Sequence, residues 1–143
     1  QVFFIGRGLD SGVSFEGSLK LKEISYINSF AIAAGELKHG TIALIEQGTL
    51  VIALATQDRL FEKMLSNIQE VKARGAYVIG LAKEGNKEIE KQANRVFYIP
   101  DCPDDLTPLL AVVPLQLLAY DIAKLRGCDI DKPKNLAKSV TVE

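Results

Sequence analysis

Residues 50–82 read LVIALATQDRLFEKMLSNIQEVKARGAYVIGLA, and their pattern decides the fold. Residues 50–55, LVIALA, are continuously apolar, as in a strand covered on both faces. The period then changes. Over residues 58–74, Leu60, Met64, Ile68 and Val71 fall on one side of an amphipathic helix, and Gly75 follows as its stop. Residues 76–82, AYVIGLA, are apolar again. Strand, helix and strand in this order, with covered strands, make a unit of a parallel sheet.

The same alternation extends in both directions. Upstream, residues 2–5, VFFI, are a short strand ending in Gly6-Arg7-Gly8. Ser11 or Ser14 is expected to cap a helix reaching about Ile27, with Val13, Phe15, Leu19, Ile24 and Ile27 as its recurring apolar positions. Residues 30–34 are expected as a strand, and residues 36–39 as a short helical turn between Gly35 and Gly40. Downstream, residues 84–93 are expected as a short surface helix and residues 96–99 as a strand ended by Pro100. Residues 101–108 form a proline-rich loop. Residues 109–126 are a long apolar helix stopped by Gly127, with Pro114 at its first turn or at a kink. The expected architecture is α/β: a three-layer α-β-α sandwich with a mainly parallel sheet of about five strands. It occupies residues 1–128 and is followed by an extended C-terminal tail, residues 129–143, lying over the surface or over a neighbour. In such sheets ligands bind at the carboxyl ends of the strands. The Gly6-Arg7-Gly8 turn and the 35–40 loop should lie at that edge.

The bulk numbers exclude some classes. The 143 residues suit one domain with a core of its own. The net charge of −1 lacks the basic surplus of a nucleic-acid binder. No uninterrupted apolar run approaches 18 residues, so no membrane span is expected. Cys102 and Cys128 lie far apart and, with one histidine, make no ordinary zinc site. They are expected as reduced thiols in a cytoplasmic protein. The start at Gln1, almost directly in a strand, suggests a fragment of something longer.

Three groups could carry chemistry. Glu16, Lys20 and Glu23 share one helical stripe. Periodicity alone reads them as a solvated surface with an ion pair worth about 0.2–0.5 kcal/mol. Facing a pocket instead, a desolvated Lys20 would lose basicity and Glu23 would gain it, making a general base for a proton beside a carbonyl. His39, the only histidine, sits in a loop bounded by glycines and could move a proton between sugar oxygens near neutral pH. Lys138 is either a solvated tail lysine or an amine that forms a Schiff base with a ketose. Gly6 and Gly8 suit a backbone that approaches a substrate closely, or simply a tight turn. No phosphate loop of the GxxxxGK[ST] kind is present.

Four motifs carry a resemblance: EGSLKLKEISYI at residues 16–27, AAGELKHG at 33–40, VPLQLLAY at 113–120 and DKPKNLAKSVTVE at 131–143. Over nearly its whole length the chain resembles the second sugar-isomerase (SIS) domain of the glucosamine-6-phosphate synthase family. Ser18, Asn28 and Thr41 depart from the family's usual Ala, His and Pro and spare the candidate residues. The resemblance implies conversion of fructose 6-phosphate and glutamine-derived ammonia to glucosamine 6-phosphate, with no cofactor. It implies that His39 assists ring opening, that Lys138 holds the open ketose as a Schiff base, and that Glu23 shuttles the proton between C1 and C2. Lys20 would support that charge movement, and Glu16 would join the same polar site and bind substrate. It also implies a homodimer in which the histidine reaches the partner subunit's site. A glutaminase domain and a first SIS domain would belong to the same longer chain, leaving this segment inactive alone. The competing readings are a phosphosugar-sensing SIS module and a fructosamine-type deglycase.

Overall fold

The computed structural model describes residues 1–134. Five strands form one parallel sheet: β1 (Val2–Gly6), β2 (Ser29–Ala33), β3 (Leu50–Ala55), β4 (Tyr77–Lys83) and β5 (Arg95–Ile99), in the order β2-β1-β3-β4-β5. Three α-helices cover it: α1 (Leu9–Ser25), α2 (Phe61–Lys72) and α3 (Thr107–Leu125). The α/β sandwich with about five parallel strands is therefore as the pattern predicts.

Strand alternation divides the core in two. Phe3 and Ile5 of β1 join Val51, Ala53 and Val78 beneath Met64, Ile68 and Val71 of α2. Val2 and Phe4 point the other way and join Ile52, Leu54 and Leu81 beneath Val13 and Leu21 of α1 and Ala111, Leu115 and Ala119 of α3. A strand buried on both faces must be apolar at every position, which explains why LVIALA shows no alternation.

Some local expectations are corrected. Helix α1 begins at Leu9, ahead of both serines, and its entry residue Gly8 has φ +58°. Ser14 is inside the helix, its hydroxyl donating to the Asp10 carbonyl at 2.8 Å. The buried side of α1 is a seam of small residues, Ser14, Gly17, Ser18 and Ser25, with Val13 and Leu21, whereas Phe15 and Leu19 are exposed. Close packing causes this: a Cβ on Gly17 would lie 2.7 Å from Leu115 Cδ1 and 3.0 Å from Phe4 Cε1. The 58–74 helix splits into a 3₁₀ turn, Asp58–Leu60, and α2. The 84–93 segment holds only a 3₁₀ turn, Ile89–Lys91, with Ile89 fully buried as its anchor.

Helix α3 is long and apolar enough to cross a bilayer by length and composition alone. The sequence reading missed this by counting uninterrupted runs, which Gln116, Asp121 and Lys124 break. In the fold one side of α3 lies on α1 and the sheet, while Leu109, Val113, Leu117 and Tyr120 are exposed.

Lys83, at the end of β4, is buried and bonds Asp58 at 2.8 Å and Asp104 at 2.9 Å. Burial alone would lower its pKa, but the two carboxylates outweigh that and push it up to about 12. The same contact, working against burial, holds Asp104 below its ordinary value of 3.8. Both shifts predict a plateau of stability. It is fully present below the ordinary lysine value of 10.5 and is lost as pH climbs to about 12. On the acid side the contribution is complete above 3.8 and is lost as pH falls through the lowered Asp104 value. Because Asp58 is mostly exposed, replacing Lys83 by Met should cost only about 2 kcal/mol in a urea titration at pH 7. It should also flatten both limbs.

Candidate functional site

Strands β1 and β3 are neighbours, and the chain leaves them for helices on opposite faces, so their carboxyl ends mark the point where the winding reverses. Here that crevice is filled by the protein itself. Asp10, buried in the first turn of α1, accepts from Thr56 N at 2.8 Å and from Thr56 Oγ1 at 2.5 Å. Gln57 Oε1 accepts from Leu9 N at 3.4 Å, and its Nε2 is buried without a partner among the described residues. With Asp58 and Asp104 close by on Lys83, the charged groups at this edge are mostly acidic and paired with one another. Sequence reasoning missed Asp10 and Lys83, because no local pattern marks a buried charge whose partner is far along the chain.

The predicted glycines are explained by this packing. A Cβ on Gly6 would lie 2.5 Å from the Asp10 carbonyl oxygen, and one on Gly8 would lie 2.6 Å from Gln57 Oε1. Internal contacts account for both without a substrate. Arg7 between them turns to the α2 side, donating to Asn67 Oδ1 at 2.8 Å. It lines a polar cleft of about 270 Å³ with Gly35, Lys38, Lys63 and Glu70.

Glu16, Lys20 and Glu23 do form one stripe on α1. Lys20 Nζ lies 2.7 Å from Glu23 Oε2 and 3.5 Å from Glu16 Oε1. The side chains are partly exposed, from 32% for Lys20 to 45% for Glu23. Lys20 is corrected in direction: the Glu23 hydrogen bond, against a smaller effect of burial, raises its pKa above the ordinary lysine value. On this surface it is a protonated cation clamped between two acids. The stripe borders Phe15 and Leu19 of α1, both exposed, Phe15 at 57%. Across the α1–α3 contact lies the exposed apolar side of α3, with Leu109 at 69%. Exposed apolar side chains therefore stand on both helices of this face.

His39 lies elsewhere. It ends a 3₁₀ turn, Ala34–His39, at the carboxyl edge of β2. Leu37 plugs this turn into the α2 side of the core, and Lys38 pairs with Glu70 of α2 at 2.9 Å. The imidazole is 74% exposed, with Glu36 at 3.9 Å. Helix α1 starts at this edge and runs about 25 Å to the opposite one. Glu23, near its far end and on the α3 face, is therefore not brought to His39 within one chain.

The C-terminal path does come to the end of α1. Helix α3 runs in the same direction as α1, so both end at the amino edge of the sheet. Gly127, at φ +68°, turns the chain. The Asp129 carboxylate accepts from the backbone N–H of Asp131 and of Lys132. Lys134 N then donates to Tyr26 Oη at 2.7 Å, one residue past the end of α1. Lys138, four residues further, lies outside the described residues.

The family model of the SIS domain matches residues 1–126. The chain is 70% identical over all 143 residues to glutamine–fructose-6-phosphate aminotransferase (isomerizing) of Caldanaerobacter subterraneus subsp. tengcongensis, of which it spans 24%. Its fold matches the C-terminal domain of glucosamine-fructose-6-phosphate aminotransferase from Francisella tularensis with a TM-score of 0.83 and 40% identity. That match covers 92% of this chain and 37% of the other. A Thermotoga maritima structure described as glucosamine-6-phosphate deaminase matches with a TM-score of 0.76 and 33% identity, covering 99% of this chain and 40% of that one. With the doubly wound parallel sheet and the family model running together from β1 to the end of α3, the chain belongs to the SIS domain family.

Proposed function

We propose that this chain is the second isomerase half of a glutamine–fructose-6-phosphate aminotransferase. In the whole enzyme it helps convert fructose 6-phosphate and glutamine-derived ammonia to glucosamine 6-phosphate. The observation that carries this reading is 70% identity along the entire chain to a relative of that name. Because the chain spans 24% of that relative, the remaining machinery is assigned to other domains of the longer polypeptide. These are a glutaminase that releases ammonia and a first SIS domain that holds the sugar phosphate. The acidic crevice of this domain supports that division, since carboxylates disfavour a phosphate there.

The roles are assigned from the family resemblance. Lys138 Nζ adds to C2 of the opened ketose, the C2–O bond breaks, and water leaves as the imine forms. After ammonia displaces the lysine, Glu23 takes a proton from C1 and returns it to C2. Lys20, already hydrogen-bonded to Glu23, steadies the carboxylate while charge moves, and Glu16 holds Lys20 from the other side. The first SIS domain closes over the stripe and the apolar side of α3, removing water from these groups. His39, at the opposite edge and on the other face, serves ring opening in the site of a second copy, so the working unit is a cytoplasmic homodimer.

A second reading rests on the deaminase likeness, 33% identical across nearly the whole chain: the same groups run the amino-sugar reaction toward ammonia release. The test is an assay of a full-length protein carrying this segment beside the 143-residue chain alone. The full protein should form glucosamine 6-phosphate from fructose 6-phosphate and glutamine. The isolated chain should form none even with ammonia. Turnover by the isolated chain, or a full-length protein that only deaminates, overturns the proposal.

A further inference from the structure

We propose that the cleft between α2 and the Ala34–His39 turn binds a small phosphate monoester. This site is independent of the isomerase reading, since it is built only from residues of this domain. It lies outside the carboxyl ends of β1 and β2, where Arg7 follows Gly6 and Gly35 comes two residues after Ala33. Doubly wound sheets bind their ligands at that edge. The other wall is one stripe of α2, because Lys63, Asn67 and Glu70 recur at helical spacing. Helix α2 covers the sheet face opposite to α1, so the cleft and the stripe of Glu16, Lys20 and Glu23 lie on different sides of the sheet.

The charges select an anion. Arg7, Lys38 and Lys63 line about 270 Å³ of cleft together with Glu70, in a chain whose net charge is −1. The Glu70 carboxylate is already engaged: Oε1 lies 2.9 Å from Lys38 Nζ, and Oε2 accepts from Asn67 Nδ2 at 3.4 Å. Among the described residues, Arg7 and Lys63 pair with no carboxylate. A phosphate monoester carries a charge of about −1.5 to −2 near neutral pH and matches that surplus.

The guanidinium is held from behind. Asn67 is 7% exposed, and its Oδ1 accepts from Arg7 Nη1 at 2.8 Å. The same group lies against Gly35, where a Cβ would sit 3.3 Å from both Nη1 and Nη2. Arginine carries five N–H donors in a rigid plane, and a strut to Asn67 would need only one. A fixed guanidinium with further donors at the wall of a polar cleft is the fork that suits phosphate oxygens. Lys63 adds a second cation on a flexible stem, and the Ser66 hydroxyl can meet the rest of the ligand.

The test uses the 143-residue chain, whose sheet is packed on both faces by its own helices. Backbone amide shifts are followed by NMR while glucose 6-phosphate, inorganic phosphate or glucose is added. Glucose 6-phosphate should move the amides of residues 35–38 and 63–70, inorganic phosphate should move them at higher concentration, and glucose should move none. Arg7→Gln should weaken glucose 6-phosphate about tenfold or more, and Lys63→Gln about twofold to fivefold. Added sodium chloride should weaken it as well. Lys63 is exposed and outside the Asn67 hydrogen bonds, so K63Q keeps the test sound if R7Q loosens the fold. Shifts spread over lysines throughout the chain and unchanged in both variants overturn the proposal. Inorganic phosphate binding as tightly as glucose 6-phosphate overturns the monoester assignment. Movement of the same amides on concentrating the chain without phosphate, with a dimer in sedimentation, also overturns it, since a carboxylate of a second copy is then the occupant.

Discussion

Glu23→Gln in a full-length enzyme carrying this segment lowers kcat by about 10²–10⁴ and leaves KM within about threefold. The amide is the same shape as the carboxylate and still accepts from Lys20 Nζ, so α1 and its stripe keep their form. What it cannot do is take a proton. If Glu23 is the group that carries hydrogen between C1 and C2, exchange of that hydrogen with solvent stops, while the imine with Lys138 still forms and can be trapped. The separation of these two readouts makes the result specific. A merely structural Glu23 would lower both together by weakening the helix. A variant that exchanges hydrogen at the normal rate would remove Glu23 from the mechanism and leave the stripe as the exposed ion-pair ladder it is in the isolated chain. The neighbour Lys20 sharpens the expectation. Its raised pKa keeps it a cation here, so in the proposed mechanism its part is to steady negative charge.

The proposed function asks for more than one domain. Doubly wound sheets present ligands at the carboxyl edge, yet Glu23 lies toward the end of α1, beside the Tyr26–Lys134 contact at the amino edge. On the proposed reading these groups serve a site whose phosphate pocket belongs to another domain, and His39 serves one on the opposite edge. The exposed apolar side of α3 is the surface that reading assigns to the contact.

How legible this was in the sequence follows from the range of the interactions involved. Strands β1, β3 and β4 were readable almost to the residue, because covered strands must be apolar at every position and Gly75 punctuates them. The stripe of Glu16, Lys20 and Glu23 was readable because helical spacing is local. The buried seam of α1 was not: Phe15 and Leu19 look like core residues by hydropathy, and only the contact of Gly17 with Leu115 and Phe4 shows that small residues face inward. The distance between His39 and Glu23 was equally invisible, since it depends on which sheet face each turn packs against. The roles of Glu23, His39 and Lys138 came from resemblance to a family, and periodicity alone would have left all three as solvated side chains.

Replacing Asp10 by Ala should cost the fold more than any change on the stripe, about 3 kcal/mol in urea unfolding, with the midpoint falling and the slope retained. Two donors on Thr56, its N–H and its hydroxyl, end on the Asp10 carboxylate. Alanine leaves the N–H buried beneath α1 with no acceptor, and a buried amide cannot recruit water without opening the β1–β3 crevice. Asparagine keeps one acceptor and the shape, and the Thr56 hydroxyl can rotate to accept from the new amide, so D10N should cost roughly half as much. The pH dependence separates charge from packing. Burial raises the Asp10 pKa above 3.8; the Thr56 hydrogen bonds oppose the rise, and the nearby Asp104 charge adds to it. A raised carboxyl pKa means that the folded state holds its proton longer than the unfolded state does. Its contribution is therefore greatest below 3.8 and declines as pH rises through the folded value, the reverse of the Asp104 limb. D10N removes that decline because nothing remains to ionise. A D10N protein whose stability still falls across that window would show that the burial of Asp10 is not the source of it.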